Sequence, residues 1–311
     1  MRRLLPALAA LCAFAAAASP GLQREEARSE ALIVLDITRS MNTRDMQGQS
    51  RLDFARSALT GWLGDLPCGS RIGLAIFSER RSLTLITPVE ICEDYESLAG
   101  ILESIDWRMA WEGDSLISKA VNHAMARAAG LDVALVFVTD GHEAPPLPYE
   151  GPARPGGETP GGLILGVGGA SPSPIPLFND EGREAGFYGS ADVQQFPARI
   201  GPPPEDASER PGYHPRQNPY GEADLEGASE HLSMLRETHL REIAAARGLG
   251  YLPLAAGSAA LSAALVNHAR PAKVSARFDI SPWLGLSAAV LILALWLMPL
   301  LPQDTKRKEV L

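Results

Sequence analysis

The chain has 311 residues, a formal charge of −9 at neutral pH and 46 % hydrophobic residues, which is ample for one or two domains with a buried core. The acidic balance argues against a nucleic-acid partner, whose phosphates call for a basic face. Much of the hydrophobic content lies in two terminal runs, which are set aside before any fold reasoning.

The first run opens with Arg2 and Arg3 and continues as an apolar stretch from Leu4 to Ala15. Ala16-Ala17-Ala18 supplies the small residues of a cleavage point, so residues 1–18 read as a signal peptide. Cys12 lies deep in the apolar stretch behind the bulky Leu11, which does not suit a lipid-bearing cysteine.

Ala31–Ile37 (ALIVLDI) is a continuous apolar run of strand length, the pattern of a parallel strand covered on both faces. Leu52–Leu66 carries Leu52, Ala55, Leu59 and Leu63 at helical spacing. Ile72–Phe77 and Ser82–Thr87 read as strands, and the short connection between them predicts an antiparallel hairpin. Tyr95–Ile105 and Ser115–Ala129 read as helices. Val133–Val138 and Leu163–Val167 are further core strands. Leu232–Arg247 is a helix stopped by Gly248, Gly250–Leu254 a last strand, and Ala259–Ala269 a last helix.

Alternating strands and helices predict an α/β fold, doubly wound, with a mostly parallel sheet and one antiparallel edge strand. The domain spans residues 31–269, interrupted by Pro/Gly-rich loop insertions at 144–162 and 168–229. Within the second, Ile175–Tyr188 predicts a hairpin around Asp180-Glu181-Gly182. Insertions of this length are functional or disordered.

The second apolar run, residues 283–301, is uncharged and as a helix would span roughly 28 Å at ~1.5 Å per residue. It reads as a single C-terminal transmembrane helix. Lys306, Arg307 and Lys308 in the 302–311 tail then face the cytoplasm by the positive-inside rule. Together the two ends predict an inner-membrane protein with its soluble domain in the periplasm. There Cys68 and Cys92 are expected to form a disulfide, since one precedes and the other follows the predicted hairpin.

The residues that carry chemistry stand at strand ends. Asp36, Thr38 and Ser40 alternate where the first core strand becomes a loop, and Asp140-Gly141 ends a second core strand at the same edge. Ser115 comes between them, placed to cap or open a helix. The C-terminal edge of a wound parallel sheet is where such folds bind ligands. Two carboxylates and three hydroxyls form an oxygen-only set that suits a hard cation, Mg²⁺ before Ca²⁺ or Mn²⁺, and no Cys/His set competes for zinc.

At these residues the chain resembles the von Willebrand factor A family with its metal-ion-dependent adhesion site. That family's motif is Asp-x-Ser-x-Ser, then a Thr, then Asp-Gly. The counterparts are Asp36-x-Thr38-x-Ser40, Ser115 and Asp140-Gly141, with each departure keeping its hydroxyl. The resemblance implies a metal held by Asp36, Thr38, Ser40, Ser115 and Asp140, the three hydroxyls in direct contact. It implies no catalytic residues but an interaction module, completed by an Asp or Glu from an exported protein partner. Asp114, Gly141, His142 and Glu143 are expected around the metal or against the partner.

Asp36–Met41 and Val138–Pro146 also resemble the membrane-tethered accessory proteins of bacterial methanol oxidation, and the hairpin resembles the broader group encoded beside MoxR-type ATPases. The partner implied is a quinoprotein methanol dehydrogenase or one of its accessory proteins, whose maturation or calcium loading the chain would assist. Two other functions fit the same residues: a metal-dependent hydrolase or ion-transfer catalyst using His142 and Glu143, and an envelope scaffold with a degenerate site.

Overall fold

The computed structural model describes residues 4–18, 21–147, 159–195, 205–210, 213, 220–221, 229–269 and 272–297. Most of the first insertion, most of 197–227 and the basic tail lie outside them. The chain divides into two compact units, residues 28–272 and the two termini together.

In the terminal unit, helix α1 (Leu4–Ala17) packs against helix α7 (Ser281–Leu297), and strand β1 (Gly21–Arg28) pairs with β12 (Ala272–Asp279). The expected transmembrane helix is corrected here: among the described residues no helix is long and apolar enough to cross a membrane. The described helix stops at Leu297 after 17 residues, which at ~1.5 Å per residue falls short of the ~30 Å hydrocarbon layer.

The larger unit is the wound α/β domain. Its elements are β2 (Glu30–Asp36), α2 (Arg51–Asp65), β3 (Arg71–Ser78), β4 (Arg81–Glu90), α3 (Ile91–Ser104), α4 (Ile117–Gly130), β5 (Ala134–Thr139) and β6 (Gly162–Gly166), followed by α5 (Glu237–Arg247), β11 (Gly250–Pro253) and α6 (Ser258–His268). Six strands form one sheet in the order β11-β6-β5-β2-β3-β4. All pairings are parallel except β3 with the edge strand β4. The strand pattern and the antiparallel edge match the sequence reading.

The apolar strands work as expected of buried parallel strands. Alternate residues of β2 feed opposite cores. Ala31, Ile33 and Leu35 pack with Leu59 and Trp62 of α2, Leu98 of α3 and Leu261 of α6. Leu32 and Val34 pack with Val121 of α4, Phe137 of β5 and Leu240 of α5. The chain leaves β2 towards β3 but leaves β5 towards β6, so the order reverses between β2 and β5. A crevice opens at the C-terminal ends of neighbouring strands at such a reversal.

Helix α5 starts at Glu237, five residues later than its periodicity suggests. Leu232–Ser233 instead forms a short antiparallel ladder, β10, with Ser173–Pro174, β7. Leu235 and Arg236 then spend their N–H groups on the carbonyls of Gly169 and Asp140. Gly248 stops α5 in the left-handed region at φ +66°, which costs a glycine nothing. The predicted insertion hairpin is present as β8 (Pro176–Phe178) and β9 (Glu184–Phe187), turned around Asn179–Arg183. Cys68 and Cys92 are joined in a disulfide with their Cα atoms 5.3 Å apart, at the sheet end opposite the crevice.

Candidate metal centre

Asp36 ends β2 with its side chain wholly buried. Its carboxylate is held on both sides. The Thr38 N–H and hydroxyl donate to Oδ1 at 2.9 and 2.7 Å, and the Thr139 hydroxyl donates to Oδ2 at 2.6 Å. Thr139 in turn accepts from the N–H of Gly141 at 3.1 Å. Gly141 sits at φ +79°, which lets the chain turn sharply after β5.

Asp140 is equally buried. Its Oδ1 accepts from the His142 N–H at 2.9 Å, and its Oδ2 from Arg51 at 2.5 Å and from the Ser233 hydroxyl at 3.3 Å. Burial, with the neighbouring Asp140 charge, pushes the Asp36 carboxyl up to about 7. Burial works the same way on Asp140 and is the largest single influence, but the Arg51 guanidinium together with His142 and its N–H holds that carboxyl below the usual range.

Thr38, Ser40 and Ser115 all line one pocket of about 120 Å³ above these carboxylates. The Oγ atoms of Ser40 and Ser115 are buried and meet no hydrogen-bond partner. Buried polar groups are nearly always paired, so two orphans in one pocket mark a place where a ligand completes the set. Five oxygen-bearing side chains fit the hard-cation chemistry of Mg²⁺. Among the described residues, the one compact cluster of His, Cys, Asp and Glu is Cys68-Glu90-Cys92, and its two sulfurs are bound to each other.

Ser115 does not cap α4. It is pinned instead by its backbone: Ala144 donates to its carbonyl at 2.8 Å, while its neighbour Asp114 accepts from the Glu79 N–H at 2.9 Å. The capping is done by Glu143, whose Oε1 accepts from the Ser118 N–H at 2.8 Å and lies 3.2 Å from His239 Nε2. This leaves the Ser115 hydroxyl uncommitted. His142 is buried, with Nε2 3.4 Å from Glu230, and lines the pocket with Asp114. Burial and Glu112 raise the Asp114 carboxyl above its ordinary range.

The sequence reading missed Arg51, Asp45, Thr139 and Ser233. Arg51 is fully buried at the start of α2. It donates to Asp45 through Nε at 3.0 Å and Nη2 at 2.6 Å, to the Ser233 hydroxyl at 2.6 Å and to the Ser233 carbonyl at 3.0 Å, besides its bond to Asp140. Asp45 also accepts from the Gly169 N–H at 2.8 Å. One signal could have found it: a cation in the first turn opposes the helix dipole, so it needs a reason to be there.

The oxygen-bearing side chains stand at the C-terminal edge of a wound α/β sheet, the edge where open-sheet domains bind ligands. Residues 31–142 match the family described as von Willebrand factor type A domain, so the chain carries a vWA domain. No curated protein matches the chain. Among solved structures, an aerotolerance-related membrane protein from Bacteroides fragilis is 20 % identical, with 76 % of this chain and 96 % of that one covered and a TM-score of 0.46. The PilB minor pilin from Streptococcus sanguinis is 14 % identical, covering 38 % of this chain and 31 % of that one at a TM-score of 0.33. The open conformation of the pilus adhesin SpaC from Lactobacillus rhamnosus GG is 11 % identical, covering 87 % and 30 % at 0.34.

Proposed function

We propose that this vWA domain binds a divalent cation, Mg²⁺ before Ca²⁺ or Mn²⁺, at an adhesion-type site, and that an Asp or Glu of a protein partner completes the shell. Asp36, Thr38, Ser40, Ser115 and Asp140 would hold the ion. The observation that carries this reading is the convergence of three hydroxyls on one pocket over two buried carboxylates, with Ser40 and Ser115 left unbonded. The bound cation would supply a positive charge whose remaining position attracts a carboxylate.

A binding role is favoured over a catalytic one by how the neighbours are spent. Glu143 Oε1 caps α4 and His142 Nε2 faces Glu230, so each has one atom engaged in holding the fold, while His142 Nδ1 and Glu143 Oε2 meet no partner. The Cys68–Cys92 disulfide supports an oxidising compartment, the periplasm in this reading. Within it, the resemblance of residues 36–41 and 138–146 points to the maturation or calcium loading of an exported quinoprotein methanol dehydrogenase as the service performed.

Titration calorimetry of EDTA-stripped protein tests the metal. Mg²⁺ should bind the wild type, and binding should be lost in Asp36→Ala with the fold retained. A wild type that neither binds Mg²⁺ nor melts at a higher temperature in its presence would sink the reading. Purified methanol dehydrogenase should be captured by the immobilised domain in Mg²⁺ and released by EDTA; capture that ignores EDTA would remove the metal from the interaction.

A further inference from the structure

The metal pocket does not open onto a flat surface. It shares Thr38, Arg39, Gly113 and Tyr188 with a second, larger cavity of about 670 Å³. Four aromatic rings stand in its walls, Trp107 and Trp111 on one side and Phe178 and Tyr188 on the insertion hairpin, among charged residues that include Arg108, Glu112 and Asp180. Phe178 stacks on Trp107 with ring centroids 4.5 Å apart. Glu184 of β9 pairs with Arg44 at 2.6 Å, so the hairpin is fastened to the loop that follows the metal residues. The hairpin and the loop after Ser40 so stand as the two sides of the groove.

Trp111 and Arg39 are among its exposed side chains. The Trp111 ring is 39 % exposed and stacks on no other ring among the described residues. A large aromatic left open beside a polar site is the residue type that dominates binding hot spots. Arg39 stands where the two cavities meet. Its guanidinium lies 5.4 Å from the centre of the Tyr188 ring and packs against Gly113, where any side chain would collide with it. Its charge acts on Asp114, with which it makes no direct ion pair, so its exposed fork can still meet an incoming anion.

We infer that the partner presents an extended acidic–aromatic segment: an Asp or Glu enters the small pocket, passing Arg39, while an aromatic side chain within about four residues fills the groove against Trp111 and Phe178. Four residues of extended chain reach ~13 Å, at ~3.3 Å each. Size separates the two subsites: the 120 Å³ pocket admits a carboxylate side chain, and only the 670 Å³ groove has room for an indole or phenyl ring. Charge enforces the order. Asp114, Asp192 and Glu230 line the small pocket and repel a carboxylate until a cation is bound. The inference rests on the metal reading and adds to it the chemistry of what binds beside the metal.

The test is selection of phage-displayed random twelve-residue peptides on the immobilised full chain, in Mg²⁺ and in EDTA, after calorimetry has shown whether Mg²⁺ binds. If Mg²⁺ does not bind, the metal reading falls and this inference with it. If Mg²⁺ binds, the enriched peptides should carry an Asp or Glu with a Trp, Phe or Tyr within four positions, and EDTA should abolish the enrichment. Trp111→Ala and Phe178→Ala should each weaken a selected synthetic peptide at least tenfold while leaving Mg²⁺ binding unchanged. Arg39→Ala should weaken the same peptide, and changing the peptide's Asp to Asn should remove the Arg39 effect. Enrichment of acidic peptides without an aromatic preference, no enrichment at all, or full binding by Trp111→Ala overturns the groove while leaving the metal site standing.

Discussion

The two edges of the central sheet are built on opposite principles. At the edge where β3 begins, neighbouring groups are tied to one another: Cys68 and Cys92 are bonded, and Glu90 caps α3 by accepting from the Glu93 N–H at 2.8 Å. At the edge where β2 and β5 end, two carboxylates are buried side by side, and the hydroxyls of Ser40 and Ser115 have no partner. A fold optimised only for stability would satisfy both edges alike. Two orphan hydroxyls lining one pocket at that end are the kind of local cost that a ligand site carries. The comparison also says what each edge should cost when altered: covalent and capping losses at one, charge imbalance at the other.

The largest effect is expected at Arg51, the one buried cation of the metal edge that touches both Asp45 and Asp140. Arg51→Met strands the buried Asp140 and the part-buried Asp45 carboxylates, a change that costs about 4 kcal/mol. Urea unfolding in EDTA should show that loss. Adding Mg²⁺ should recover part of it, because a cation beside Asp140 replaces the missing charge. A loss below about 1 kcal/mol would mean the network is not what holds this edge together. At the other edge, Cys68→Ser with Cys92→Ser opens a loop with a sequence separation of 24. The expected loss is about 3 kcal/mol, seen as a lower melting temperature. Mg²⁺ affinity should stay within about twofold of wild type, since the disulfide is at the far end of the strands; a larger drop would show that the two edges are coupled and break the comparison.

How much of this was legible in the sequence depends on the range of the interaction. The strands were legible because a parallel strand buried on both faces is apolar throughout, as ALIVLD and ALVFVT are. The expected metal residues stand at strand ends, where local geometry brings Thr38, Ser40 and Ser115 to one pocket over Asp36 and Asp140. Local rules also allow Ser115 to cap a helix, but Glu143 reaches across from another loop to do that work. The start of α5 was misplaced for a similar reason, since Ser233 serves Arg51 and Arg236 serves the Asp140 carbonyl instead of joining the helix. Arg51 itself escaped notice because its partners stand 89 and 182 residues away along the chain. Pairings of that range leave no periodicity to read. The terminal apolar run was visible, yet its described helix ends at Leu297, before the length a membrane demands.

The smallest predicted effect is the most discriminating. In an ordinary buried position, replacing serine by alanine removes a hydrogen bond and destabilises the fold by about 1 kcal/mol. Ser115 has no bond to lose, and its desolvated hydroxyl is a cost the folded state already carries. In EDTA, Ser115→Ala should therefore leave stability unchanged or raise it by up to about 1 kcal/mol. In Mg²⁺ the sign should reverse, because the variant lacks a ligand the ion uses; an affinity loss of about tenfold corresponds to roughly 1.4 kcal/mol. Opposite signs in the two buffers can arise only if the orphan hydroxyl is kept for the cation. A variant destabilised equally in both would place the Ser115 hydroxyl in a structural role and return this edge to the same design as the other.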